Sequence, residues 1–138
     1  MSEQTHTSRD SLTGVWNGQF SYSDALQPGE FTATLLDFGG VLSGAIHEPD
    51  QWARAEGGLL YAEVSGRRVG STVEFAKTYD GAGGWTHTVN YSGELSADGL
   101  EIEGGWDIPG EWSGRFLMIR AGRDRAGVEL VAADTIAR

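Results

Sequence analysis

The stretch Gly99–Arg120, GLEIEGGWDIPGEWSGRFLMIR, decides how the rest of the chain is read. At its middle Ile108-Pro109-Gly110-Glu111 holds a Pro-Gly pair. Proline presets one turn dihedral, and glycine supplies the positive φ that the next position of a tight turn favours. Before the turn, Ile102, Gly104, Trp106 and Ile108 alternate with Glu101, Glu103 and Asp107. After it, Trp112, Gly114, Phe116 and Met118 share one face, with Ser113, Arg115, Leu117 and Ile119 on the other. A period of two marks a strand with one buried face. The segment is a hairpin.

The same alternation extends towards the N-terminus. Leu12–Ser23 aligns Trp16, Gly18, Phe20 and Tyr22; Glu30–Phe38 alternates less decisively; Val41–Glu48 aligns Leu42, Gly44, Ile46 and Glu48. Gly58–Ser65 is a fourth strand. Val69–Tyr79 places Val69, Ser71, Val73, Phe75, Lys77 and Tyr79 together, and Thr86–Leu95 does so for His87, Val89, Tyr91, Gly93 and Leu95. Tight turns are expected at Gly39-Gly40, Gly66-Arg67-Arg68 and Asp98-Gly99, and longer connectors at 24–29, 49–57 and 80–85. Eight strands joined by hairpins predict an all-β fold, an eight-stranded antiparallel up-and-down β-barrel. Closure leaves no exposed edge and an interior wide enough for packed side chains or one small ligand.

Composition fits one domain. The chain has 138 residues and 21 glycines, roughly twice the usual share of about 7%. A hydroxyl residue followed by glycine recurs at Thr13-Gly14, Ser43-Gly44, Ser65-Gly66, Ser92-Gly93 and Ser113-Gly114. Glycine inside a strand marks a bend, which a strongly twisted, closing sheet needs. The expected organisation is a polar arm at 1–11, a barrel domain at 12–121 and an extension at 122–138. Val128, Val131, Ala132 and Ile136 in that extension are spaced for a short C-terminal helix, although GVELVA also alternates like a strand. Its proposed use is to cover the outward Leu117 and Ile119; a homodimer would cover them equally well.

Cysteine is absent, so disulfide and thiolate chemistry are excluded. A formal charge of −10 repels phosphate backbones and anionic lipid, which argues against nucleic-acid and membrane partners. No apolar run reaches membrane-spanning length, and MSEQTHTSRD lacks the apolar core of a signal peptide; a cytoplasmic location is expected.

The Gly-x-Trp of LTGVW, at the start of the first strand, resembles the calycin group of lipocalin-like and avidin-like barrels. The segments FAKTYDG, THTVNYSGEL, IEGGWDI and WSGRFLMIR resemble more closely a small family of bacterial β-barrel proteins without an assigned function. The matching positions are Lys77, Tyr79, His87, Tyr91, Gly93, Gly104, Trp106, Gly114 and Phe116, within Leu12 to Ala121. Avidin-type ligand residues do not carry over, because the likeness to that branch ends after LTGVW. What the lipocalin resemblance implies is binding, with no ligand named.

A meander brings the ends of odd strands and the starts of even strands to one end. The longer connectors lie there, together with Tyr22, Glu48, Lys77, Tyr79, His87, Trp106 and Trp112, and Tyr91 lies deeper on the same face. This is the expected mouth, and these eight are the candidate ligand-binding residues. Lys77 lies among Val73, Phe75 and Tyr79 on the inner face. A buried ammonium requires a partner, for which Glu48 is placed. Either Lys77 meets an anionic ligand group or acts as a proton donor, or it snorkels to the mouth in a structural pair. His87 is a general base, a single axial haem ligand or a hydrogen-bonded interior residue. With three histidines in the chain, and His6 in the arm, a protein-only metal site is not expected. The tyrosines and tryptophans either stack on a flat ligand or fill the barrel.

No phosphate loop, Gly-x-Ser-x-Gly elbow or His-Glu-x-x-His motif is present, and no cofactor is implied. The leading expectation is non-catalytic binding of a small, partly apolar ligand that carries an anionic group if Lys77 serves it. A small-acid isomerase, cyclase or decarboxylase using Lys77 with Glu48, His87 or Tyr79 is the enzyme alternative. An assembly module with a filled barrel is the third.

Overall fold

The alternation along the sequence becomes eight strands in the computed structural model, which describes residues 11–22, 28–49, 58–81 and 87–122. They are β1 (Gly14–Tyr22), β2 (Gly29–Phe38), β3 (Val41–Pro49), β4 (Leu59–Val69), β5 (Thr72–Tyr79), β6 (Thr88–Leu95), β7 (Glu101–Ile108) and β8 (Trp112–Arg120). Each strand pairs antiparallel with the next, and β8 returns to pair with β1, Trp16 opposite Arg120 and Tyr22 opposite Gly114. The sheet is a closed up-and-down barrel. The extension beyond Gly122, for which a short helix is expected, and nearly all of the arm lie outside the described residues.

Inward positions form one core running the length of the barrel: Trp16, Leu35, Leu42, Ile46, Val73, Ile102 and Met118 are fully enclosed. On β2 the inner face is Phe31, Ala33 and Leu35, with Thr34 and Leu36 outside. The strand glycines allow close approach between neighbours. A Cβ on Gly44 would strike the carbonyl of Thr34, and one on Gly114 would strike that of Ser21. Gly44 also has φ +150°, which an L side chain rarely adopts. The Ser-Gly steps therefore sit where one strand's backbone nests against the next.

One turn falls elsewhere than the sequence suggests. Gly66-Arg67-Arg68 is not a turn; β4 continues through it, pairing Gly66 with Phe75 and Arg68 with Val73. The chain reverses at Gly70-Ser71, where Gly70 takes φ +62°. Consequently Val69 does not join the inner row of β5 and is 70% exposed, and Ser71 is an exposed turn residue. Two arginines looked like turn residues because they are polar, yet a barrel strand tolerates them: Arg67 faces solvent and Arg68 has a partner.

That partner is Asp37. Its carboxylate accepts from Arg68 Nε at 2.9 Å, the Leu12 amide at 2.8 Å and the Gly40 amide at 2.8 Å. Burial raises its pKa, but the Leu12 amide, Arg68 and the Gly40 amide outweigh that and hold it below the usual carboxylate range. Beside it, Trp16 Nε1 donates to the Leu12 carbonyl at 3.0 Å, and the Arg120 guanidinium lies 4.5 Å over the Trp16 ring. Arg120 also donates to the carbonyls of Ser11, Thr13 and Gly99, at 2.8, 3.3 and 3.1 Å. These contacts tie both ends of the barrel chain together and shut this end.

Candidate functional site

The opposite end is open. There a cavity of about 270 Å³ enters the barrel, just under the roughly 300–1,000 Å³ of common small-molecule pockets. All eight residues singled out from sequence line it: Tyr22, Glu48, Lys77, Tyr79, His87, Tyr91, Trp106 and Trp112. The strand period brings them together. Each is on the inner face of its strand or, for His87, immediately ahead of β6, and each lies in the half of the barrel towards the mouth.

The floor is polar. Lys77 is 2% exposed and Glu48 6%, and Lys77 Nζ meets Glu48 Oε1 at 3.1 Å. The second carboxylate oxygen, Oε2, accepts from the Tyr79 hydroxyl at 2.9 Å. Around the ammonium stand the rings of Tyr79, Tyr91, Phe20 and Phe31, with centroids 4.8, 5.4, 5.6 and 5.9 Å away. Such distances are within the range of cation–π attraction. Burial by itself lowers the Lys77 pKa; Tyr91, Glu48 and Tyr79 overcome this and hold it above the ordinary lysine value. Lys77 is a fixed cation in an aromatic and carboxylate cage.

Burial raises the pKa of Tyr79, Tyr91 and Tyr22, with Glu48 adding to the effect, so all three phenols are neutral at physiological pH. His87 moves the other way. Burial first and the Lys77 charge second lower its pKa from 6.5, leaving a neutral imidazole near pH 7. Its ring lies 4.9 Å from that of Tyr79.

Comparison with family models, with curated proteins and with solved structures finds no match to this chain. The site is therefore read from its own geometry.

The upper wall is an aromatic series. Trp112, 53% exposed at the rim, packs edge-on to Tyr22 at 5.5 Å, and Tyr22 does the same to Trp106 at 5.4 Å. Trp106 Nε1 donates to the Ser21 carbonyl at 3.1 Å, which fixes its ring in the cavity wall. Phe20, Pro49, Leu60, Val89 and Ile108 complete the apolar lining, and Glu111 stands at the rim. These six were not singled out from sequence. Phe20 and Ile108 were legible, being on the same inner rows as Tyr22 and Trp106. Glu111 lies in the hairpin turn, where alternation predicts no facing.

His47 points outward, against Tyr61 with ring centroids 6.1 Å apart, and takes no part in the cavity. Among the described residues no three His, Cys, Asp or Glu side chains cluster as a metal site. Also among those residues, no helix is long and apolar enough to cross a membrane.

Proposed function

We propose that this chain is a calycin-like barrel that binds one small, partly apolar ligand in its open end, without catalysis. The observation that carries the reading is the buried Lys77–Glu48–Tyr79 triad at the floor of an aromatic cavity open to solvent. Stability does not account for it: well-packed hydrophobic residues in place of a buried ion pair are often neutral or stabilising. A polar floor beneath an apolar wall is the arrangement by which pockets orient a ligand. The calycin assignment rests on the closed eight-strand meander together with Gly14 and Trp16 at the start of β1. A cytoplasmic, bacterial-type setting belongs to the same proposal, on the chain without cysteine and on the segments quoted above.

The assembly reading requires a filled barrel, and a cavity of about 270 Å³ weighs against it. The enzyme reading draws support from one feature, the neutral His87 beside Tyr79 in the cavity that holds Lys77. Against it, both oxygens of Glu48 are engaged, one by the cation that would fix a substrate acid.

Native mass spectrometry of protein purified without denaturation tests the proposal, followed by a thermal-shift screen of compact aromatic and alicyclic compounds. The expected result is a bound mass, or a compound that raises Tm and quenches Trp106 and Trp112 fluorescence. A bare mass with no stabilising compound would overturn it. Turnover of a hit would favour the enzyme reading instead.

A further inference from the structure

We infer that the cavity selects an uncharged ligand, a compact apolar body ending in a hydrogen-bonding amide, alcohol or lactone, because the protein supplies both charges of the floor itself. This rests on the binding reading above. It also departs from the anionic ligand group that Lys77 suggests when the sequence is read alone.

The argument is one of occupancy. Lys77 has three N–H donors; Glu48 Oε1 takes one at 3.1 Å, and four aromatic rings enclose the rest of the ammonium within 6 Å. Glu48 is satisfied in turn, Oε1 by Lys77 and Oε2 by Tyr79. An incoming carboxylate would lie against Glu48 as closely as against Lys77, and would lose its water in doing so. An incoming ammonium meets the converse. In a site of reduced dielectric neither desolvation is offset, since the available attraction is already consumed within the pair.

The remaining charges lining the cavity, among the described residues, do not change this balance. His87 is neutral near pH 7, and Glu111 is exposed at the rim, where solvent screens it. What the cavity offers a ligand is neutral: the phenols of Tyr22 and Tyr91, the Tyr79 phenol oxygen as an acceptor only, since its proton goes to Glu48, and the rings of Trp106 and Trp112.

The test uses isosteric triplets, each an amide, a carboxylate and an amine on one ring: phenylacetamide, phenylacetate and phenethylamine, with the indolyl and cyclohexyl equivalents. Their affinities for the full chain are measured by calorimetry near pH 7. The amide is expected to bind at least tenfold tighter than either charged partner. Glu48→Gln leaves the floor cationic and should turn the preference to the carboxylate by tenfold or more; Lys77→Met should turn it to the amine. The double variant, neutral again, should return to the amide. Wild-type protein that binds a carboxylate or amine as tightly as its amide overturns the inference and leaves ligand binding standing. Absence of binding by every triplet overturns the inference, and joined to a bare mass with no stabilising compound it overturns the binding reading as well. The wild-type ranking decides the matter alone if a single variant fails to fold.

Discussion

Lys77→Met leaves a carboxylate that is 6% exposed facing a thioether, with the Tyr79 hydroxyl as its hydrogen-bond donor. Glu48→Gln leaves an ammonium that is 2% exposed facing an amide, with the aromatic faces still around it. Breaking a buried pair by removing one partner costs about 3–5 kcal/mol, most of it from the charge left uncompensated. For a barrel of this size 1 kcal/mol moves Tm by about 4 °C, so each single variant should melt about 12–20 °C below wild type. Combining them removes both charges and preserves an acceptor for Tyr79. The double variant should therefore recover much of the loss, with a coupling energy of at least about 2 kcal/mol. Urea denaturation of the four proteins near pH 7, with m-values compared, measures the cycle. The sign of the pH dependence follows from the raised Lys77 pKa. Its contribution is complete below the unfolded lysine value of about 10.4 and is lost as pH rises through the higher folded value. Additive single effects would refute the reasoning, since two independent side chains would then explain what is here ascribed to a pair.

Three further outcomes are expected. Asp37→Asn should cost about 2–4 kcal/mol, since it weakens three hydrogen bonds at the closed end, one of them to Arg68. Because the folded pKa of Asp37 is lowered, its contribution is present above the unfolded value of about 3.9 and fades as pH falls through the folded one. The gap between wild type and variant in urea melts should narrow accordingly below pH 4, and a gap independent of pH would count against the assignment. Gly114→Ala forces a methyl against the Ser21 carbonyl and within 2.8 Å of Trp106 Nε1; a loss of about 1–3 kcal/mol is expected, with faster amide exchange along the β1–β8 seam. Trp112→Ala, at a half-exposed rim position, should change stability by less than about 1 kcal/mol while weakening any ligand found by native mass spectrometry; unchanged affinity would remove Trp112 from the site.

Much of this architecture is legible in the sequence because a closed meander makes every strand obey the same period. Lys77 and Glu48 could be paired in advance for that reason: each lies on an apolar row at the same end of its strand, and a buried charge needs its opposite. The closed end was less legible. Asp37 sits in β2, where Leu35-Leu36 makes both faces apolar, and its partners Leu12 and Arg68 are 25 and 31 residues away. Arg120 reads as a polar strand terminus, and its place over Trp16 depends on the β1–β8 pairing, which only closure of the barrel creates. The displaced turn has a local cause. Gly66 and Gly70 are equally plausible turn glycines by composition, and cross-strand pairing with β3 and β5, invisible in a short window, carries β4 past the first.

The contacts of Arg120 also fix where the chain enters and leaves the barrel. Ser11 and Ala121 are both tied to the closed end, through Arg120 and through the Ala121 amide donating to the Val15 carbonyl at 2.8 Å. The barrel behaves as a cup hung by its base. At Ser11 and at Ala121 the described chain meets the barrel at its base, so the rim formed by Tyr22, His87 and Trp112 is the face turned away from both points. The points where the described chain enters and leaves the barrel thus lie opposite its cavity, an orientation set by where eight strands begin and end.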